Sequence, residues 1–533
     1  MFRSMVISVS KRNMRKYSII LPISSVVIII LAGAVFFGGY GKRANNESIL
    51  TLKSLGIEPG TVHGICSDCN VILLSVDSLR ADHVSTLGYR RDTTPNFDKF
   101  SQSGALFLNN FSTSFLTPVS EMSVQTGLYP SSNGVTNFDT VLPDNKVTIT
   151  RYLKSKGYKT SAVFSSPEFK AFPAIEASFS RSFDRYEYVN PLIAEDESRF
   201  RQFPVQSKLD SELDALGDKK FFLWLAVGGV HWPYGWTANN VYADDKYDGV
   251  FKGVQLDYKN VFMHLYKNVL YPSGKKLNEA DMQYVRDQYD NGVREFDDFL
   301  GGLLSELKQR NLLKKTLIVI ESEHGEGLGE HGYVAHYDVF DTQTHTPLYI
   351  FIPSLQSGQR VSSMSSSIDI FPTIIELLGD TVPDWIQGKS LVPIISGREH
   401  DNLRKEVFLE RIPLWEEAEH SSRNALEVRG ISVVSGVYKD IAIRTPEWKY
   451  ILRTAREREE AISLWKTLTG IPVHIPEAEL YDMVHDPLET KNVIDKYPEE
   501  AEILRKKLED WSAKISPNSP LNIERKRYIQ PYF

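Results

Sequence analysis

Cysteine is scarce in this sequence, and an excess of basic charge is lacking. Cys66 and Cys69 are its only cysteines. The pair fits a local disulfide, a redox motif or a metal role, but without a second pair it is not expected to hold zinc alone. The formal net charge of -7 gives no basic surface for a nucleic acid partner. Internal repeats and low-complexity tracts are lacking too, which excludes a repeat architecture.

A long apolar run lies near the N-terminus instead. Residues 18–40 carry no charge, and more basic residues precede this run than follow it. Its length matches a bilayer span, and the positive-inside rule places a tail over 1–17 in the cytoplasm. We therefore predict a transmembrane anchor over 18–40, a linker over 41–68, and a single-pass membrane protein with the rest of the chain on the periplasmic or extracellular side. A cleaved signal peptide is the alternative.

Strand and helix patterns alternate beyond the linker. Apolar runs without helical period predict buried strands over 70–75, 161–164, 221–227, 316–321 and 347–352. Helical periodicity appears over 147–156, 281–311, 369–378 and 498–514. The alternation predicts an α/β fold whose mostly parallel sheet has helices on both faces. We place one large domain over 69–398 and a smaller C-terminal α+β subdomain over 399–533, with short strands over 427–434 and 440–444.

Two of the predicted strands end in residues of metal-binding type. Asp77 follows the first strand, and Glu323 and His324 follow the strand over 316–321. In an open α/β sheet, ligands collect outside the carboxyl ends of the strands. The three side chains are therefore candidates for one metal site, and the chain is predicted to be an enzyme.

A threonine hydroxyl stands at the start of another predicted helix. Thr117 fits the N-cap, Pro118 fits the first helical position, and Gly127 fits the C-terminal stop. A hydroxyl at a helix N-terminus is well placed to attack a bound phosphate or sulfate, because the helix end favours negative charge. Capping alone also explains a threonine at this position.

Further motifs follow one another along the chain. They lie at 76–83, 88–96, 126–130, 231–234, 289–299, 323–326, 329–332, 369–373, 387–390, 448–450 and 479–482. Together they resemble the sulfatase family of the alkaline phosphatase superfamily, and the resemblance runs nearly end to end. It implies a metal-assisted displacement at sulfur or phosphorus, with Thr117 in the position of the nucleophile.

The chain departs from typical sulfatases at two motifs. Typical members convert a Cys or Ser to formylglycine within Cys/Ser-x-Pro-x-Arg, whereas residues 117–121 read Thr-Pro-Val-Ser-Glu. The usual Gly-Lys-Trp-His segment is replaced by Ala-Val-Phe-Ser-Ser-Pro at 162–167. These departures are similar to phosphonate monoester hydrolases and to phosphoethanolamine or phosphoglycerol transferases, where an unmodified threonine serves. They imply chemistry that is independent of formylglycine.

The resemblance thus implies a metal-dependent hydrolase that cleaves sulfate, phosphate or phosphonate esters through a covalent Thr117 intermediate, and the predicted anchor makes it membrane-anchored. One divalent ion, Mn or Zn in preference to Mg or Ca, would have these ligands: Asp77, Thr117, Glu323 and His324. His231 and His336 would bind the non-bridging oxygens or protonate the leaving group. The expected partners are a sulfate- or phosphate-ester substrate, such as a glycan or a lipid head group, and the membrane.

Two alternatives remain open at this point. The first is a transferase of the phosphoethanolamine or phosphoglycerol type, which differs only in the acceptor that resolves the intermediate. The second is an inactive binding protein with the sulfatase fold, which the missing family cations and Glu323 in place of the usual aspartate would fit. Arg80 is expected to pack or pair beside the first strand.

Overall fold

The computed structural model describes residues 63–166, 168–189, 205–228, 230–232, 240–252, 278–332, 334–336, 338–355, 358–397, 403–411, 440–453 and 476–515. Its strands are β1 (Asn70–Val76), β2 (Ala105–Phe111), β3 (Lys159–Phe164), β4 (Arg185–Tyr188), β5 (Phe221–Val227), β6 (Thr316–Glu321), β7 (Gly327–Leu328), β8 (Val334–Ala335), β9 (His345–Phe351), β10 (Gln359–Ser366), β11 (Val407–Arg411), β12 (Asp440–Arg444), β13 (Trp448–Arg453) and β14 (Ala478–Asp482). Its α-helices are Pro95–Ser101, Thr117–Thr126, Pro130–Asn133, Ile149–Ser155, Glu168–Ala171, Pro173–Ser180, Gln206–Leu216, Glu279–Gln309, Asp341–Thr344, Ile370–Leu377, Val392–Ile395 and Pro498–Ile515.

The expectation of a single-pass membrane protein is corrected here. Within the ranges just given, no helix is both long enough and apolar enough to cross a membrane. The predicted anchor over 18–40 lies outside those ranges, as do the predicted tail and the strand over 427–434. A charge-free run in the sequence is not sufficient evidence for an anchor, and the membrane localisation is withdrawn.

An eight-stranded sheet is the centre of the described structure, with strand order β10-β2-β9-β6-β1-β5-β3-β4. β1 pairs in parallel with β5 on one side and with β6 on the other. β9 runs antiparallel to both of its neighbours, β2 and β6. The prediction of a mostly parallel sheet is thereby confirmed. The parallel pairing places the carboxyl ends of β1, β5 and β6 at one edge of the sheet.

Side chains of β1 pack on both faces of this sheet. Val71 and Leu73 belong to an apolar cluster that includes Ile374 of the helix Ile370–Leu377. Ile72 and Leu74 belong to the cluster on the opposite face. That second cluster includes apolar residues of the helix Glu279–Gln309. The strand is therefore apolar throughout, as expected for a parallel strand covered by helices on both faces.

A second, antiparallel sheet is formed by β11, β12, β13 and β14 in that order. The helix Pro498–Ile515 packs against it through Leu504, Leu508 and Trp511. This agrees with the α+β pattern predicted for the C-terminal region. The boundary of that region at 398/399 stays a prediction.

Several local predictions can be compared directly with the structure. The strands Phe221–Val227 and Thr316–Glu321 have the predicted bounds. The helix at Thr117 was placed one residue late, because Thr117 is its first residue and Leu116 is its N-cap. Cys66 and Cys69 form a disulfide, which decides between the roles left open for this pair.

Candidate functional site

The ends of β1 and β6 are held together by one serine. Ser322 follows β6; its hydroxyl donates to the carbonyl of His324 at 2.6 Å and accepts from the backbone N–H of Leu79 at 3.0 Å. Because β1 and β6 are parallel and in register, with Ser75 opposite Glu321, the residues just past each strand face the same space.

The backbone after β1 is fixed by a tyrosine from the long helix. The Tyr289 hydroxyl donates to the carbonyl of Ser78 at 2.7 Å and accepts from the N–H of Arg80 at 2.9 Å. Ser78 itself has a φ of 63°, a left-handed conformation that a serine adopts only when its surroundings hold it there. The turn that carries Asp77 is therefore defined by contacts on both sides.

Three predicted metal ligands meet in this space. Ligand atoms of Asp77, Glu323 and His324 all lie within 4.8 Å of one another, and the three residues are buried. The pKa of Glu323 is raised well above its ordinary value by burial and by the nearby Asp77. Within the described chain, Oε2 of Glu323 has no hydrogen-bond partner. A divalent cation would satisfy that oxygen and neutralise the buried carboxylates, so these residues fit a metal ion.

His324 is oriented by its own loop. Its Nδ1 lies 2.8 Å from the carbonyl oxygen of Gly325, and since a carbonyl only accepts, Nδ1 carries the proton. Nε2 is then the lone-pair nitrogen. Burial and the nearby His336 lower the pKa of His324 to about 3. The ring is therefore neutral at physiological pH, which is the form that binds metal ions.

The Thr117 hydroxyl lies beside that nitrogen. Its Oγ1 is 2.9 Å from Nε2 of His324, so the hydroxyl donates to the imidazole. Thr117 is buried and begins a ten-residue helix, where the partial positive charge of the helix dipole lies. Nε2 of His324 is also 3.8 Å from Oδ1 of Asp77. The hydroxyl and the candidate metal ligands thus form one cluster.

The two other predicted histidines lie next to His324. The ring centroids of His324 and His336 are 4.2 Å apart, and those of His231 and His336 are 4.9 Å apart. Burial and the nearby His231 lower the pKa of His336 to about 3. The structure thus brings all six predicted site residues together, five of them buried and His231 half-buried, while their roles stay predictions.

Sequence reasoning missed three buried side chains of the same region. The Ser166 hydroxyl donates to Asp77 Oδ2. Burial alone would raise the pKa of Asp77. The nearby His231 and His324 and this hydroxyl outweigh burial and lower that pKa overall. Glu121 and Glu321 are fully buried, and burial raises the pKa of Glu121 to about 7. Glu121 stands where typical sulfatases have arginine. That difference was visible in the sequence, whereas the burial of Glu121 was not.

Arg80 forms ion pairs with neighbouring carboxylates and does not point into the site. Its guanidinium is 2.8 Å from Asp82 and 2.9 Å from Glu330, and it donates to the carbonyl of Glu326 at 3.0 Å. It therefore connects the turn after β1 to the loop after β6, in line with the expectation of a packing residue.

Comparison with known proteins now identifies the family. Residues 69–380 match the sulfatase family, and residues 329–458 match the family described as N-sulphoglucosamine sulphohydrolase, C-terminal. The chain belongs to the sulfatase family. The predicted resemblance is confirmed, and with it the class of sulfatase-like ester hydrolases.

Individual sulfatase-family relatives agree with this assignment. Arylsulfatase K of Xenopus laevis is 24% identical over 445 residues, which are 78% of this chain and 77% of that protein. The phosphonate monoester hydrolase of Agrobacterium radiobacter superposes with a TM-score of 0.62 at 21% identity, over 84% of this chain and 96% of that one.

A further solved structure, in complex with its substrate D-glucosamine-2-N,6-O-disulfate, superposes with a TM-score of 0.61 at 20% identity, over 85% of this chain and 99% of that one. At these identities the structural likeness shows the fold. Independence of formylglycine stays a prediction.

Proposed function

We propose that this sulfatase-family enzyme hydrolyses sulfate or phosphonate esters, and that phosphate esters are a chemically related class of substrate. We further propose that unmodified Thr117 is its nucleophile. The observation that carries the proposal is the 2.9 Å contact between the Thr117 hydroxyl and Nε2 of His324. It supports the proposal because the Thr117 hydroxyl lies at a helix start, beside the candidate metal ligands and among buried side chains.

A divalent ion fits this cluster by charge and by donor type. Asp77, Glu323 and His324 would hold it, together with the Thr117 oxygen. Carboxylate and imidazole donors together suit Mn or Zn better than Ca. When bound, such an ion would lower the pKa of the Thr117 hydroxyl and reduce its repulsion from an anionic ester.

The chain's own residues account for the remaining steps of the proposal. Because Nε2 of His324 would hold the ion, the Thr117 hydroxyl would give its proton to water, and its oxygen would form a bond to sulfur or phosphorus. The bond to the leaving alcohol breaks, and the alcohol oxygen takes a proton from His336 or His231. Water then attacks the covalent threonine ester, releases sulfate or the phosphorus acid, and restores the hydroxyl.

Two comparisons favour anionic sugar or phosphonate esters as substrates. One structural neighbour was solved with a disulfated glucosamine, and another is a phosphonate monoester hydrolase. The C-terminal match to the N-sulphoglucosamine sulphohydrolase family favours sulfated sugars for this chain. The departures at 117–121 and 162–167 favour the phosphonate class, so both ester types belong in the first assay.

The test is turnover of matched aryl sulfate, phosphate monoester, phosphate diester and phosphonate substrates with Mn, Zn or Mg. We expect metal-dependent turnover that disappears in Thr117→Ala. The matched control is Thr126→Ala, since Thr126 is a buried threonine at the far end of the same helix and should keep activity. Equal activity of Thr117→Ala and the native protein would contradict the threonine mechanism.

A further inference from the structure

A cleft of about 650 Å³ lies where the central sheet meets the second sheet. Its walls come from the edge strand β10, from β2, from the ends of β12 and β13, and from the helix Pro498–Ile515. β10 is four strands from β1, roughly 19 Å across the sheet at the usual strand spacing. The described residues that line the cleft include none of the candidate site residues, so the cleft is a separate feature of the fold.

We propose that this cleft binds a saccharide without taking part in the chemical reaction. The proposal goes beyond the proposed function and does not depend on it. The volume of the cleft lies within the roughly 300–1,000 Å³ that is usual for small-molecule sites. Three features of its lining support a sugar as the ligand: an aromatic ring, polar groups of both charge signs, and a buried hydroxyl.

Trp448 supplies the aromatic surface of the cleft. Its side chain is half-buried and belongs to the lining. On the other side, its ring contacts the ring of Tyr497, with the two centroids 4.9 Å apart. The indole is thus supported by a neighbour while part of it faces the cleft. The apolar C–H face of a pyranose packs on a flat aromatic ring of this kind, because the contact removes apolar surface from water.

Two arginines of the lining are held in fixed orientations. Nε of Arg404 is 2.7 Å from Oδ2 of Asp369, and Nε of Arg444 is 3.0 Å from Oδ2 of Asp341. A guanidinium has five N–H donors in one plane, more than the two that a forked pair with a carboxylate uses. The ion pairs therefore fix both planes, and the other donors bond to sugar hydroxyls with little further loss of side-chain freedom.

The charge of the lining is close to balanced. Four basic and three acidic side chains line the cleft, and Lys507 lies 3.3 Å from Glu406. A highly charged anion would meet the carboxylates of Glu406, Glu447 and Glu500. A hydroxyl both donates and accepts hydrogen bonds, so it pairs with either kind of group. The balance therefore favours a ligand rich in hydroxyls over a polyanion.

Ser363 gives a second, independent indication of a ligand. Its side chain lines the cleft, and the residue is only 7% exposed. Within the described part of the chain, its Oγ has no hydrogen-bond partner. A buried hydroxyl without a partner is costly. A hydroxyl of the bound sugar would supply the missing hydrogen bond.

The experiment measures binding of three tetrasaccharides to the full-length protein by titration calorimetry: cellotetraose, chitotetraose and the hyaluronan tetrasaccharide. They carry no sulfate or phosphate ester, so they are not substrates of the proposed reaction. We expect at least one of them to bind with a Kd of about 1 mM or lower, equally in the native protein and in Thr117→Ala. A lack of turnover with every ester would leave this result unaffected, so the two proposals fail separately.

Two variants locate the sugar, each with its own control. Trp448→Ala should raise the Kd at least about 10-fold, whereas Trp385→Ala should leave it unchanged, because Trp385 is an exposed tryptophan outside the lining. Ser363→Ala should raise the Kd about 3- to 10-fold. Its control is Ser367→Ala, since the Ser367 hydroxyl is also buried without a partner in the described chain but lies outside the lining. If Trp448→Ala does not fold, Ser363→Ala carries the test.

Three results would overturn the proposal. The first is that none of the tetrasaccharides binds at about 10 mM. The second is sugar binding that neither Trp448→Ala nor Ser363→Ala weakens, which would place the sugar elsewhere on the protein. The third is binding of a peptide of alternating glutamate and lysine, in place of the sugars and with the same dependence on Trp448, which would assign the cleft to a peptide.

Discussion

Oγ1 of Thr117 lies 2.9 Å from Nε2 of His324, although 207 positions separate the two residues in the sequence. Nδ1 of the same ring donates to the carbonyl of Gly325, so Nε2 is available to the hydroxyl. The pairing of a hydroxyl with the lone-pair nitrogen of a neutral imidazole leads to the first prediction.

The hydroxyl of Thr117, rather than its methyl group, should be the part needed for activity. Thr117→Ser should keep kcat within about 10-fold of the native value, whereas Thr117→Val should lower it at least about 10³-fold, because the nucleophile is lost. Initial rates on the best ester of the panel give both values. Comparable activity of the valine variant would exclude Thr117 as the nucleophile.

Glu323 should contribute directly to metal affinity. Its buried oxygen lacks a hydrogen-bond partner within the described chain, so Glu323→Gln removes a charge that a cation would neutralise. We expect the Kd for Mn²⁺, measured by titration calorimetry, to rise at least about 10-fold. Glu410→Gln makes the same chemical change outside the cluster and should leave the Kd unchanged. A native Kd in Glu323→Gln would remove Glu323 from the ligand set.

Glu410 should make stability depend on pH. Burial raises its pKa from 4.5 to about 7 in the folded protein, so the folded state keeps a proton that the unfolded state has already lost. Stability should therefore fall as pH rises from 4.5 to about 7, by at most about 3 kcal/mol. Glu410→Gln should show a smaller decrease in Tm between pH 5 and pH 8. An identical decrease in both proteins would argue against a raised pKa.

Lys449 should stabilise the junction between the two sheets. Its side chain is fully buried, 2.8 Å from Asp341 and 2.9 Å from Glu489. Lys449→Met should lower the free energy of unfolding by about 3 kcal/mol, because the buried Glu489 loses its cation and Asp341 keeps only Arg444. The exposed pair Lys154–Asp184 provides the comparison, since Lys154→Met should cost less than about 1 kcal/mol. Denaturant unfolding of the two variants measures the difference.

The sequence predicted five strands of the central sheet, and candidate ligands at the ends of two of them, because those strands are uninterrupted apolar runs. β10 was missed, since its residues Gln359–Ser366 are mostly polar and it lies at the edge of the sheet. The strand at 347–352 was recognised, but apolar content carries no information on direction, so its antiparallel pairing as β9 was not foreseen.

The missed site residues have a common cause. Ser166 contacts Asp77, a partner that is distant in sequence. Glu121 was recognised only as a departure from a motif. Neither burial nor the partner of a polar side chain can be derived from a single sequence, because both depend on the completed packing.

The parallel pairing of β1 with β6 also has a consequence for biosynthesis. Asp77 emerges from the ribosome long before Glu323 and His324, and no part of the cluster is complete until β6 has paired with β1. Any metal ion held by this cluster would therefore bind only after the central sheet has assembled. A nascent chain released before that point would lack the site and whatever stability a bound ion adds.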